Sequence, residues 1–266
     1  MKVFISADIE GTAGITDWTE ALKEGSGYHE FRQLMTNELV AACEGARAAG
    51  AKEVVVKDAH QTGRNLLVSD LPDYVRIFRG WSGHPHAMMS GLEEGFDAAL
   101  YTGYHSKAGS GANPLAHTFR GDTVLRLNGE LASEFTINAL CAARLSVPSV
   151  FLSGDKGICD DATAMVPGIA TLPVSEGFGP ATLSISPRRA VAEIRDRVEA
   201  ALRGGTGGCM PQISETFTLD IQFTTPSGAY KASWYPGAEL IGPCEVRFVS
   251  DDYFEIMRAC CVVLKI

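Results

Sequence analysis

Asp8 and Glu10 stand two residues apart at the end of the apolar run that begins at Val3. In an extended chain side chains alternate, so Val3, Ile5, Ala7 and Ile9 share one face while Ser6, Asp8 and Glu10 share the other. Both carboxylates can then point at one ion. An Asp-x-Glu pair alone equally suits a polar strand end or a cap on the next turn. Two further strand-like runs end in residues of ligand type, Lys57-Asp58-Ala59-His60 and Thr102-Gly103-Tyr104-His105. A lone histidine is more often a hydrogen-bonded structural group than a ligand. Two histidines and two carboxylates at one sheet edge are another matter, because packed like charges cost free energy unless a cation neutralises them. Glu134, with Glu130 and Asp122 as rivals on spacing, offers the further acid that a two-ion site needs. Asp8, Glu10, His60, His105 and Glu134 form a mixed imidazole and carboxylate set suited to Zn²⁺, with Mn²⁺ or Co²⁺ as substitutes.

The small, glycine-rich segment Ser106 to Ala116 reads as a loop bordering a substrate, and His117 follows it with no apolar periodicity around it. That placement suits a general acid/base or a nucleophile, with a plain loop histidine as the competing reading. His84 and His86 flank Pro85 with no acid in the same run, and are read as a surface loop. Asp58 and Asp155, also at strand ends, suit helix caps or supports for the ligands. Lys107 and Arg120 could receive a substrate carboxylate or simply lie in solvent. No nucleotide-binding glycine motif, Walker lysine, H-E-x-x-H or G-x-S-x-G is present.

These residues need a sheet behind them. Val3 to Ile9 reads as a buried strand, Tyr28 to Ala49 as an amphipathic helix ending at Gly50, and Glu53 to Lys57 as a second strand, which together make a parallel unit. Further strands are expected at Tyr74 to Phe78, Phe96 to Thr102 and Ser149 to Ser153, with a helix from Leu131 to Leu145. A charged helix opens at Pro187 and runs to Leu202, the glycines from Gly204 to Gly208 break the chain, and strands at Glu215 to Phe223 and Glu245 to Val249 precede a helix from Asp251 to Val263. The expected architecture is α/β, a three-layer domain with a mainly parallel or mixed central sheet plus a smaller C-terminal α/β portion. The change of texture at Ser186 divides the chain into residues 1–185, carrying the metal and catalytic residues, and residues 186–266.

The sequence carries a net charge of -9 and no cluster of Lys and Arg, which argues against nucleic acid as a partner. No apolar run is long enough to span a bilayer, and the opening run meets a carboxylate instead of a signal-peptide core, so a cytoplasmic location and no membrane partner are expected. The seven cysteines show no zinc-ribbon or C-x-x-C spacing and are read as reduced core thiols.

Taken in order, Ser6-x-Asp8-x-Glu10-Gly11, Asp58-x-His60, Gly103-Tyr104-His105, His117-Thr118, Asn128-Gly129 through Glu134, and Ser153-Gly154-Asp155 resemble the DppA-type zinc D-aminopeptidases over nearly the whole chain. The resemblance implies two Zn²⁺ per chain, with Asp8 bridging, Glu10 and His60 completing one ion's ligands, and His105 and Glu134 the other's. It implies His117 as the catalytic histidine, short peptides with N-terminal D-amino acids as substrates, and a homodecamer of two stacked pentamers. This chain departs from the family pattern in a longer stretch between His105 and His117 and in the His84/His86 pair. Two alternatives accompany this reading. One is an amidohydrolase or phosphoesterase of small metabolites using the same metals, the other a non-catalytic peptide-binding protein linked to uptake.

Overall fold

The computed structural model describes residues 1–266. Along the chain run β1 (Lys2–Ala7), α1 (Trp18–Ala21), α2 (Tyr28–Ala48), β2 (Glu53–Asp58), β3 (Val75–Phe78), β4 (Ala98–Tyr104), β5 (Thr123–Leu127) and β6 (Glu130–Leu131). These are followed by α3 (Glu134–Arg144), β7 (Ser149–Asp155), α4 (Lys156–Met165), β8 (Ala170–Phe178), β9 (Ala181–Ser184), α5 (Pro187–Gly204), β10 (Phe217–Phe223), α6 (Pro226–Ala232), β11 (Ala238–Gly242), β12 (Glu245–Ser250) and α7 (Tyr253–Leu264).

Seven strands make the central sheet in the order β3-β2-β1-β4-β7-β8-β9, all parallel except β9, which returns antiparallel on β8. The chain builds outward from β1 to β3, then crosses back to lay β4 on the other side of β1. That reversal leaves a crevice at the carboxyl ends of β1 and β4, the place where open α/β sheets bind ligands.

The alternation along β1 sorts the two cores. Val3, Ile5, Ala7 and Ile9 face α2 and α5, packing with Phe31, Met35, Leu39, Ile194 and Val198. Phe4 faces the opposite side, where Tyr101, Phe135, Leu152, Ile158 and Ile256 belong to the other core. On α5 the buried residues Ala190, Ile194, Val198 and Leu202 recur every four positions, while Arg189–Glu193 and Arg203–Glu199 pairs occupy the outer face. Its start is set by Ser186, whose side chain accepts the Arg189 amide, and by Pro187 at the first helical position.

A second, antiparallel sheet runs β11-β12-β10-β5-β6 and packs with α7 and α3. The expected α/β architecture with a mainly parallel central sheet is thus what the chain forms. The division at Ser186 is not how the layers fall, because α5 docks on α2 against the central sheet while β5 and β6, from residues 123–131, pair into the second sheet through β10. The helix expected from Leu131 starts instead at Glu134, with Leu131 in β6 and Asn128-Gly129 forming the hairpin turn, both at positive φ (52° and 88°). All seven cysteines are free, six of them buried. Burial pushes the Cys141 and Cys260 thiols up to about 12, so they pack as inert apolar groups. No helix is long and apolar enough to cross a membrane.

Candidate metal centre

β1 ends at Ala7, so Asp8 and Glu10 lie just beyond it and not within an extended segment. Two backbone bonds tie this loop to β4, Asp8 N–H to Thr102 O at 2.9 Å and Gly11 N–H to Gly103 O at 2.8 Å. The approach is so close that a Cβ on Gly11 would lie 1.8 Å from Tyr104 O, and one on Gly103, already at φ +67°, 2.2 Å from Asp8 O. Gly11 therefore serves the meeting of two backbones. From the far side Asn113 donates to Glu10 O at 3.1 Å and to Asp155 Oδ2 at 3.0 Å.

Asp8, Glu10, His60, His105 and Glu134 converge, each 5% exposed or less. His60 Nδ1 lies 3.3 Å from Asp8 Oδ1 and 3.1 Å from Glu10 Oε2. His105 Nε2 lies 3.6 Å from Asp8 Oδ2 and 3.5 Å from Glu134 Oε2. Asp8 thus stands between two histidines, each of which also faces a second acid. His117 stacks on His105 with ring centroids 4.3 Å apart and its Nε2 3.7 Å from Glu134 Oε1. Of the rivals to Glu134, Glu130 is exposed in β6 and Asp122 is paired with Arg120, so neither reaches the cluster. Glu134 is the first residue of α3, capped by Ser133, and its Oε1 accepts the Phe119 amide at 2.7 Å.

A main-chain carbonyl can only accept, which fixes the ring tautomers. His60 Nε2 donates to Ala21 O at 2.9 Å, His105 Nδ1 to Ser106 O at 3.0 Å and His117 Nδ1 to Leu115 O at 2.9 Å. The remaining nitrogen of each ring is turned toward the carboxylates. Glu10 Oε2 and His105 Nε2 are buried without any hydrogen-bond partner. Buried carboxylate and imidazole lone pairs that face one another are costly unless a proton or a cation lies between them; the donor set fits a transition ion.

The titration behaviour follows from the same crowding. Burial lifts the Asp8 carboxyl well above the usual range, with Glu10 beside it adding to the push. Burial works against charge on Glu10 as well, yet His60, with His105 and His117 behind it, holds its carboxyl well below the usual range. Burial likewise opposes charge on His60 and His105, but Glu10 and Asp8 on the one and Glu134 on the other hold protons there well above the ordinary imidazole range. A bound cation takes the place of those protons, so its affinity rises with pH. His117 goes the other way, lowered by burial and by the neighbouring His105, which leaves it a neutral base near neutral pH.

The cluster forms the floor of a cleft of about 250 Å³, walled by Trp18, Leu22, Trp81, Met88 and Phe119. Several supports are residues the sequence reading passed over. Fully buried Lys57 donates to Asp58 O and Gly80 O and lies 4.0 Å from the Trp81 ring centroid, and its burial lowers its pKa to about 8. Asp58 accepts from Asn65 and Leu66 amides and shapes the loop after His60. Asp155 caps α4 and accepts from Ser106. The Asn113-Pro114 pair was the only sequence signal for Asn113, and nothing marked Lys57 or Trp81. Lys107 and Arg120 are paired with Asp161 and Asp122.

A parallel sheet whose reversal point carries a buried carboxylate–imidazole centre under a small cleft defines an α/β protein of the metallohydrolase class. The chain belongs to peptidase family M55, D-aminopeptidase, whose family model matches residues 1–262. It is therefore a peptidase. Among curated proteins it is 27% identical over 269 residues to the D-aminopeptidase of Bacillus subtilis (strain 168), spanning 100% of this chain and 97% of that one. Among solved structures it matches the Zn-dependent D-aminopeptidase DppA from Bacillus subtilis, a self-compartmentalizing protease, with TM-score 0.92 and 26% identity over 100% of this chain and 97% of that one.

Proposed function

We propose that this chain is a binuclear zinc aminopeptidase that removes N-terminal D-amino acids from short peptides. The observation that carries it is the Asp8 carboxylate standing between His60 and His105, each paired with its own second acid. Asp8 would bridge two Zn²⁺ ions, Glu10 and His60 would complete one set of ligands, and His105 and Glu134 the other. When bound, the ions would polarise the scissile carbonyl and lower the pKa of water.

The chain's own groups supply the rest. Carboxylate oxygens at the cleft floor that the ions leave free would receive the free amino group of the peptide. The Trp18, Leu22, Trp81 and Met88 wall buries the substrate's apolar parts and excludes water. His117, fixed by its Nδ1 bond to Leu115 O and kept neutral by burial, takes a proton at Nε2 and returns it to the leaving amine. The same reading includes a cytoplasmic homodecamer, in keeping with the self-compartmentalizing relative.

The test is hydrolysis of D-Ala peptides and their L counterparts by Zn²⁺-loaded protein. Turnover of the D peptides that vanishes in Glu10→Ala and His60→Ala supports the proposal, while turnover unchanged in both would sink it.

A further inference from the structure

His84 and His86, which their sequence context marked as a surface loop, do not lie loose. The rings sit 4.5 Å apart, centroid to centroid, on either side of Pro85, and both pack against Phe254 of α7. The acid missing from the local sequence comes from seven residues further on, where Glu93 Oε2 lies 3.0 Å from His86 Nδ1. One ligand atom from each of His84, His86 and Glu93 lies within 4.8 Å of the other two. His86 is 4% exposed, so its ring is held in place within the fold. The one nearby guanidinium, Arg144, is already paired with Asp252 at 3.1 Å. Glu93 Oε2 is held from behind by the Gly91 amide at 3.0 Å.

We propose that His84, His86 and Glu93 form a further cation site, sharing no residue with the main cluster, that takes one Zn²⁺ and leaves a position open to water. Two imidazoles with one carboxylate suit Zn²⁺ and disfavour Mg²⁺ or Ca²⁺, which prefer oxygen alone. The ion replaces the proton that His86 Nδ1 and Glu93 Oε2 share. Ala87 and Met88 follow immediately and line the cleft, with Ala87 at φ +45°, so an ion here also braces that wall.

The experiment counts ions rather than turnover. Chelator-stripped protein is titrated with Zn²⁺ alone and analysed for bound metal after desalting. The same is done for His84→Ala, for Glu93→Gln, which keeps an oxygen to accept the Gly91 amide, and for a His60→Ala/His105→Ala double variant. His84→Ala and Glu93→Gln should each hold one Zn²⁺ fewer per chain than the wild type with unchanged circular dichroism. The double variant should keep one Zn²⁺ that a further His84→Ala removes. Equal metal content in wild type, His84→Ala and Glu93→Gln overturns this site. Equal content in wild type and the double variant overturns the main-centre reading instead.

Discussion

His60, His105 and His117 each commit one ring nitrogen to a main-chain carbonyl, so their free nitrogens are aimed before any ion arrives. What each acid does then differs by position. Asp8 faces both His60 and His105, whereas Glu10 faces His60 and Glu134 faces His105. Asp8→Ala should therefore empty both metal positions, and Glu10→Ala should weaken chiefly one; elemental analysis after dialysis at fixed free Zn²⁺ separates the two, and identical losses would contradict a bridging Asp8. His117 stacks on the cluster without standing between two acids, so His117→Ala should keep its metal content while kcat falls by about 10²–10⁴-fold. A His117→Ala protein that loses metal in proportion to activity would make this residue a ligand instead.

At the scale of elements, what matters is how tightly the strand ends are pressed together. The loop holding Asp8 and Glu10 is hung between β4, through Gly11 and Gly103, and α2, where Glu38 Oε1 accepts the Ala13 amide at 2.8 Å. Gly11→Ala would put its Cβ inside Tyr104 O, forcing the loop off β4. The expected outcome is a loss of several kcal/mol in urea unfolding, roughly that of severe core overpacking, together with weaker metal retention. Glu38 gives a pH signature of its own. It is 1% exposed, its Oε2 has no partner, and burial raises its pKa to about 8. Because the folded value lies above the unfolded one of about 4.3, the folded chain holds the extra proton between them. The stability Glu38 contributes is full below about pH 4 and is lost as pH rises toward 8. Glu38→Gln, which keeps an acceptor for Ala13, should gain on the wild type as unfolding is followed from pH 5 to above pH 8; parallel profiles would show that this burial costs nothing. The periodic elements were legible because their partners are local: α5 shows its stripe and its Ser186-Pro187 start, and β1 its alternation. The missed features depend on distant partners. The Thr123–Leu127 strand alternates and is followed by the Asn128-Gly129 turn, but its local partner β6 is only two residues long and its main neighbour β10 begins about ninety residues later, with Leu127 opposite Leu219. For the same reason the texture change at Ser186 marked a composition boundary and not a layer boundary, since the docking site of α5 lies on α2. The five candidate ligands were legible as residue types at strand ends, but the tautomers that aim them come from Ala21, Ser106 and Leu115, carbonyls that any residue could supply.

For the whole molecule, the four most exposed large apolar side chains fall in two separate places. Tyr230 and Trp234, 59% and 74% exposed, stand on and just after α6 beside the second sheet, where Leu240 and Val249 are also exposed. Phe178 and Leu183, 58% and 66% exposed, lie on the β8–β9 hairpin at the edge of the central sheet. A closed ring joins two different patches head to tail, whereas stacking two rings joins like to like. The proposed homodecamer needs both kinds of interface, and these two patches suit the head-to-tail contact of its ring. The expected particle has ten times the chain's 28.4 kDa. Light scattering behind size exclusion checks this directly. Trp234→Glu and the pair Phe178→Glu/Leu183→Glu should each reduce the particle to a smaller discrete species by placing a charge in a desolvated contact. The isolated chain keeps both of its cores in either variant, so unfolding midpoints measured at high dilution should stay close to wild type. A wild-type protein that runs as a monomer, or a full-sized particle in both variants, would show that these patches do not build the assembly.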